Sequence, residues 1–367
     1  MCKPVYVTKS YMPPRAEFDA YLDRIWKSAW LTNMGELHEE LRARLREFLN
    51  VGGIELFVNG HAALENAIQA MHFAPGSEII TTPFSFASTT HAVMRQGLVP
   101  VFCDIRPSDC TMDPEKIEAL ITERTAAILP VHVYGNICDV DRIAEIADRH
   151  GLKVIYDAAH AFGETRDGAN VGNFGDISMF SFHATKVYHS IEGGALTWPA
   201  GGTDYEDILY KLKNFGITGP ESVEYIGGNA KMNEFQAAMG LCNLQHIGEL
   251  IAARKEIYGQ YVQALSGVPG VRFLQHDDRI SYNYAYMPVV FDAPLDRDEI
   301  YDRLAARQIF CRKYFYPCIN AYECYRDRYD AADTPVAAEI SRKILTLPIY
   351  PGLEKEIVEE ICEVIKH

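Results

Sequence analysis

Lys186 lies in the run Ser181-Phe-His-Ala-Thr-Lys186, twenty-nine residues after Asp157 in Val154-Ile-Tyr-Asp157-Ala-Ala-His160-Ala-Phe-Gly163. A lysine amine can capture an aldehyde, and a carboxylate can hold a pyridine nitrogen in its cationic form. Those are the two groups that pyridoxal phosphate chemistry requires, one to bind the cofactor carbonyl and one to make its ring an electron sink. Each residue also has a plain reading. A lysine is usually a solvated surface charge, and an aspartate at a strand end is often an N-cap or turn residue. An apolar strand nevertheless ends at Asp157, where an unpaired carboxylate is costly to bury.

Other residues supply what such a cofactor would need. Ile54-Glu-Leu-Phe-Val-Asn59-Gly60-His61-Ala62 reads as strand, tight turn and helix start. Free N–H groups there suit a phosphate, Gly60 allows close approach, and His61 can add a donor. An ordinary βα turn uses Asn-Gly just as readily. Phe86, at the junction after Thr81, can lie on a flat heteroaromatic ring or plug the core. His160 can reach a ring oxygen or bond to backbone. Ser181 and Lys186 share one short loop and so can meet the two ends of one ligand. Glu192-Gly-Gly-Ala195 marks a tight backbone approach nearby.

These residues need a frame. From about residue 50 to 200, short β-rich runs alternate with amphipathic segments, with strands expected at 54–58, 78–81, 99–103, 126–131, 153–156 and 178–181. Helical periodicity marks 62–72 and 139–150. This pattern predicts an α/β fold with a mostly parallel sheet covered by helices, whose ligands gather at the carboxyl ends of strands. A long helix is expected over about 233–265, connecting a large domain (1–240) to a smaller α+β domain (241–367). In the latter, 281–291 and 309–316 read as strands and 297–308 as a helix.

Composition narrows the function classes. A net charge of -15 argues against nucleic acid or an anionic membrane as partner, though a local basic pocket can still take an anionic small molecule. The N-terminus lacks a signal-peptide core, and no apolar run reaches membrane-spanning length. Nine scattered cysteines without a Cys-x-x-Cys pair fit reduced thiols in the cytoplasm, and no metal site is expected.

Taken together, Asp157-Ala-Ala-His160-Ala-Phe-Gly, Ser181-Phe-His-Ala-Thr-Lys186 and Glu192-Gly-Gly-Ala resemble the signature of the DegT/DnrJ/EryC1/StrS sugar aminotransferases. The likeness spans essentially the whole chain. It takes in Trp30-Leu-Thr-Asn, Asn59-Gly-His-Ala-Ala-Leu, Phe84-Ser-Phe-Ala-Ser-Thr, Pro130-Val-His-Val-Tyr-Gly135, Gly228-Asn229-Ala-Lys-Met232 and Leu345-Thr-Leu-Pro-Ile-Tyr-Pro351.

The resemblance implies the fold type I architecture of pyridoxal phosphate transferases, with a seven-stranded-type sheet. It also implies ping-pong transfer of an amino group from glutamate to a keto sugar on a nucleoside diphosphate. It assigns Lys186 as cofactor-binding amine and base, Asp157 to the ring nitrogen, His160 to the ring oxygen and Phe86 to stacking. Gly60, His61, Ala62 and Ser181 fall to the phosphate, with Asn229 reaching it from the second subunit of a homodimer that shares its active sites. His61 departs from a position often filled by Thr or Ser. The likeness is nearest to dTDP-4-keto-6-deoxyglucose 4-aminotransferases of the viosamine pathway, and less close to 3-aminotransferases. For the substrate, Lys213, Lys231, Arg312 and Lys313 are candidate cations, and Tyr314 and Tyr316 candidate sugar contacts. Three other readings are weaker. Dehydrating relatives replace the lysine by His, a binding-only regulator would show a degraded site, and a nicotinamide enzyme would carry Gly-x-Gly-x-x-Gly after the first strand.

Overall fold

The computed structural model describes residues 3–367. Its centre is a seven-stranded sheet, in spatial order Gly53–Phe57, Gly194–Trp198, Ile177–Ser181, Lys153–Asp157, Thr125–Leu129, Glu78–Thr81 and Val99–Phe102. All neighbours run parallel except Gly194–Trp198, which is antiparallel to both of its partners. Most of these strands are buried along their length, as continuous apolar runs under helices on both faces should be. Helices Gly60–Ala70, Ala87–Arg95 and Val140–His150 follow strands in the expected alternation. The last is capped by Asp139, whose side chain accepts from the Arg142 N–H, and ends at Gly151 in the left-handed region.

One face of the sheet packs on Leu41, Leu45 and Ala237, the other on Leu64, Ala67 and Ile68. The helix Glu234–Leu265 starts with a reciprocal cap between Asn233 and Gln236. It runs from the first of these cores, through Ala238 and Leu241, into a third built around Tyr261, Val289 and Leu345. That third core covers an antiparallel sheet of Val271–Phe273, Met287–Phe291 and Ile344–Leu347. A fourth cluster, with Phe84, Val131 and Tyr134 against Val290, Phe315 and Ile344, joins the C-terminal part to the large sheet. A cavity lies beside this seam, lined in part by Val131 and Phe315.

Three expectations about elements differ from the structure. Gly194–Trp198 is a strand, although its glycines read as a turn, because its burial on both faces removes the alternation that marks a strand. The stretch 281–291 is paired only at Ile280–Ser281 and Met287–Phe291, broken where Tyr284 takes a positive φ of 54°. The stretch 309–316 is a strand only at Ile309–Phe310, paired with Val5–Tyr6, followed by a single antiparallel bridge from Arg312 to Thr346. Beyond it, Phe315 leaves the ladder to pack edge-on against Phe84.

No helix among the described residues is long and apolar enough to cross a membrane. Among the same residues no group of three or more His, Cys, Asp or Glu is placed to hold a metal. Eight cysteines are free thiols, seven of them buried; Cys2 lies outside the described residues.

Candidate active site

A cavity of about 400 Å³ opens at the carboxyl ends of the central strands, where the sequence pattern expects a ligand. Asp157 ends its strand there and is buried. Its backbone is held on both sides of the neighbouring turn, with its N–H donating to Pro130 O at 2.9 Å and its carbonyl accepting from His132 N–H at 3.0 Å. One carboxylate oxygen accepts from the Thr89 hydroxyl at 2.8 Å and the other from the Ala159 N–H at 3.1 Å. Burial pushes this carboxyl up; the Thr89 and Ala159 donors and the Lys186 charge oppose that. A cationic ring N–H against Asp157 would complete its pairing.

Lys186 enters from the turn after Ile177–Ser181, closed by its N–H to His183 O at 2.8 Å. Burial lowers its amine to about 8, with Asp157 pulling the other way. Its Nζ is 3.4 Å from the Tyr286 hydroxyl, which arrives from the C-terminal part. Sequence reasoning passed over Tyr286, and the broken strand around it left no usable period.

His160 is oriented by the backbone of Tyr134, whose N–H donates to Nδ1 at 3.0 Å. A backbone N–H can only donate, so Nδ1 is an acceptor. Burial keeps the ring neutral by lowering its pKa well below the usual value, so the proton resides on Nε2. His160 is therefore a fixed donor of one N–H, suited to a phenolic or carbonyl oxygen.

At the other end of the cavity the helix Gly60–Ala70 begins, and the first N–H groups of a helix have no carbonyl partner within it. A Cβ on Gly60 would lie 2.9 Å from Ser181 Cβ, and one on Gly194 only 2.7 Å from Gly60 N. The two glycines thus let the turn, Ser181 and the adjacent strand close into a cradle that any side chain would fill. His61 Nδ1 is 2.9 Å from the Ser88 hydroxyl. Ala62 is not available as a donor, because its N–H is taken by the Asn59 side chain at 2.8 Å. Phe86 is 57% exposed, far from the core role a phenylalanine usually takes, and lines the cavity beside Ser85 and Ser88.

The structure separates the candidate substrate residues. Arg312 and Tyr314 line the cavity, with the guanidinium over the tyrosine ring at 5.3 Å. Lys213 does not; it is wholly buried in an ion pair with Glu55 and also donates to Leu56 O, so it cannot meet a substrate. Lys313 pairs with Asp298. Lys231 donates to Asn214 Oδ1 at 2.8 Å and sits over Phe215. Tyr316 lies under the Arg297 guanidinium, outside the cavity lining. Proximity in sequence to the motif could not reveal these local partners. Asn229 is exposed and does not line the cavity of its own chain.

Comparisons with known proteins agree in kind. The chain is 42% identical over 368 residues to the dTDP-4-amino-4,6-dideoxy-D-glucose transaminase of Shigella dysenteriae, covering all of this chain and 99% of that protein. The Escherichia coli protein of the same name is likewise 42% identical over 370 residues, with 99% and 98% covered. Among solved structures, DesI with its TDP-sugar product superposes with a TM-score of 0.93 at 32% identity, covering 100% of this chain and 93% of that one. The family model for DegT/DnrJ/EryC1/StrS aminotransferases matches residues 14–366. An amine near neutrality, a buried carboxylate and an anion cradle in one cleft thus have their counterpart at the level of the whole chain, which belongs to the DegT/DnrJ/EryC1/StrS aminotransferase family.

Proposed function

We propose that this pyridoxal phosphate-dependent aminotransferase moves an amino group from glutamate to C4 of dTDP-4-keto-6-deoxy-D-glucose, giving dTDP-4-amino-4,6-dideoxy-D-glucose. The observation that carries the reading is the meeting of Lys186, Asp157 and His160 in one cavity with the Gly60–Ser181 cradle. The ring position draws on the names of the two relatives at 42% identity.

The residues present fit the cofactor. Asp157 is a buried carboxylate suited to a ring N–H, His160 Nε2–H suits a ring oxygen, and the glycine cradle suits a phosphate. When bound, pyridoxal phosphate supplies a carbonyl that holds the amino group in transit and a ring that accepts the electron pair freed when a C–H bond breaks. The chain does the rest. Lys186 Nζ, kept near pH 8 by burial, is a nucleophile in its neutral form and afterwards a base that carries a proton between carbons. Asp157 would keep the ring nitrogen of the bound cofactor protonated, and Phe86 would cover its ring. The N–H groups of Gly60 and His61, with the Ser181 hydroxyl, would hold the phosphate. Arg312 and Tyr314, which line the cavity, meet the anionic part of the substrate. Asn229, exposed on its loop, acts in the site of a second copy, so the working unit is a homodimer.

The test is incubation of the purified protein with glutamate and a panel of 3-keto and 4-keto dTDP- and UDP-sugars, with mass and NMR analysis of the products. A 4-amino-4,6-dideoxy product is expected. Turnover of 3-keto sugars alone would move the reading to a 3-aminotransferase, and loss of the visible cofactor band in Lys186→Ala is expected in either case.

A further inference from the structure

Thr89 lies on the helix Ala87–Arg95, one turn after Phe86, and is completely buried. A threonine in a helix ordinarily turns its hydroxyl back to the carbonyl four residues earlier. Here the hydroxyl points across to the sheet instead and donates to Asp157 Oδ2 at 2.8 Å. Behind it stands Ser85, also buried, with its hydroxyl 2.8 Å from Thr89 Oγ1. A hydroxyl has one proton to give. With Asp157 ionised, the Thr89 proton is committed to the carboxylate, so the contact with Ser85 has Ser85 as its donor. The three groups form a directed chain, Ser85 to Thr89 to Asp157.

We propose that Thr89, oriented by Ser85, is a positioning residue that holds Asp157 ionised and aimed at the cofactor ring nitrogen. This inference rests on the reading of Asp157 given above. Three observations support it. The helix turn that places Phe86 over the cavity also places Thr89 on Asp157, so one element sets the ring face and its nitrogen partner together. Besides the Ala159 N–H, Thr89 is the only donor to this buried carboxylate among the described residues. Hydrogen bonds to an ionised acceptor are about twice as strong as neutral ones, and burial otherwise drives Asp157 toward its neutral form. The other titratable groups around it are Lys186 from the following turn, Tyr286 from the C-terminal part and His160 on its own turn; His132, whose backbone N–H meets the Asp157 carbonyl, stacks its ring on Tyr156 instead. His132 is buried with a pKa of about 3 and stays neutral.

The test compares holoenzyme of the wild type with Thr89→Val, which keeps the shape and removes the hydroxyl, and with Thr89→Ser, which restores it. Cofactor affinity is measured by equilibrium dialysis, and the visible cofactor band is titrated with pH. We expect Thr89→Val to weaken cofactor binding about tenfold and to shift the pH midpoint of the band. Thr89→Ser should return both to within about twofold, and Ser85→Ala should move both in the same direction by less. Unchanged affinity and midpoint in a Val variant that melts like wild type would overturn the proposal. So would a Ser variant as impaired as Val, since the methyl group and not the hydroxyl would then matter. A wild type that binds no pyridoxal phosphate would instead sink the underlying reading of the site.

Discussion

If burial holds the Lys186 amine near pH 8, cofactor-free protein captures aldehydes at neutral pH much faster than a surface lysine does. At pH 7.5 an amine with a pKa of about 8 is neutral in roughly a quarter of molecules. An unperturbed lysine near ~10.4 is neutral in about one in a thousand, so the reactive population is larger by roughly 200-fold. Capture should therefore fall about tenfold per unit below the midpoint and level off above it. The largest cause of the shift is desolvation, while Asp157 favours the ammonium form. Asp157→Asn should consequently move the midpoint further down. Stopped-flow absorbance checks this with pyridoxal phosphate and, because the cofactor has titrating groups of its own, with an uncharged aromatic aldehyde. A midpoint near 10, or one that rises in Asp157→Asn, would refute the reasoning. The same shift has a stability consequence. Lys186 is depressed in the folded state, so the unfolded chain binds more protons between about pH 8 and its ordinary value. Stability of the cofactor-free protein should therefore rise through that window. Melting curves of wild type against Lys186→Met isolate the effect, and identical pH trends would count against it.

Gly60→Ala should weaken cofactor affinity at least tenfold and cost about 1–3 kcal/mol of stability, because its Cβ must displace Ser181; fluorescence titration and urea melts measure both. Lys213→Met leaves Glu55 buried without its partner and should cost about 3–5 kcal/mol. The double variant with Glu55→Leu should recover much of that loss, and the KM for the sugar nucleotide should stay near wild type, as expected of a lysine outside the cavity. Tyr286→Phe removes the hydroxyl beside Lys186 Nζ and should lower kcat about three- to tenfold with little change in KM. Steady-state kinetics with both substrates decide it.

How far the sequence could be read depended on how local each feature is. The βα alternation, the Asn59-Gly60 turn before its helix and the long helix from Glu234 were legible because their signals lie within a few consecutive residues. The antiparallel strand Gly194–Trp198 was not, since a strand buried on both faces carries no alternation and its flanking glycines resemble a turn. The site divides along the same line. Lys186, Asp157, His160, Phe86 and Ser181 stand out within short motifs and line one cavity. Lys213 and Arg312 looked equivalent as candidate cations, yet one is sealed in an ion pair with Glu55 and the other borders the cavity.

The sequence by itself therefore determined the class of fold, the amine, the acid and the turn that can cradle an anion, because propensity, periodicity and motif chemistry act over short spans. Only the tertiary structure decided what tunes those groups. Thr89 reaches Asp157 across 68 residues of chain, Tyr134 sets the His160 tautomer across 26, and Tyr286 meets Lys186 across 100. Burial and hydrogen-bond direction arise from such distant partners packing together, and no local pattern records them.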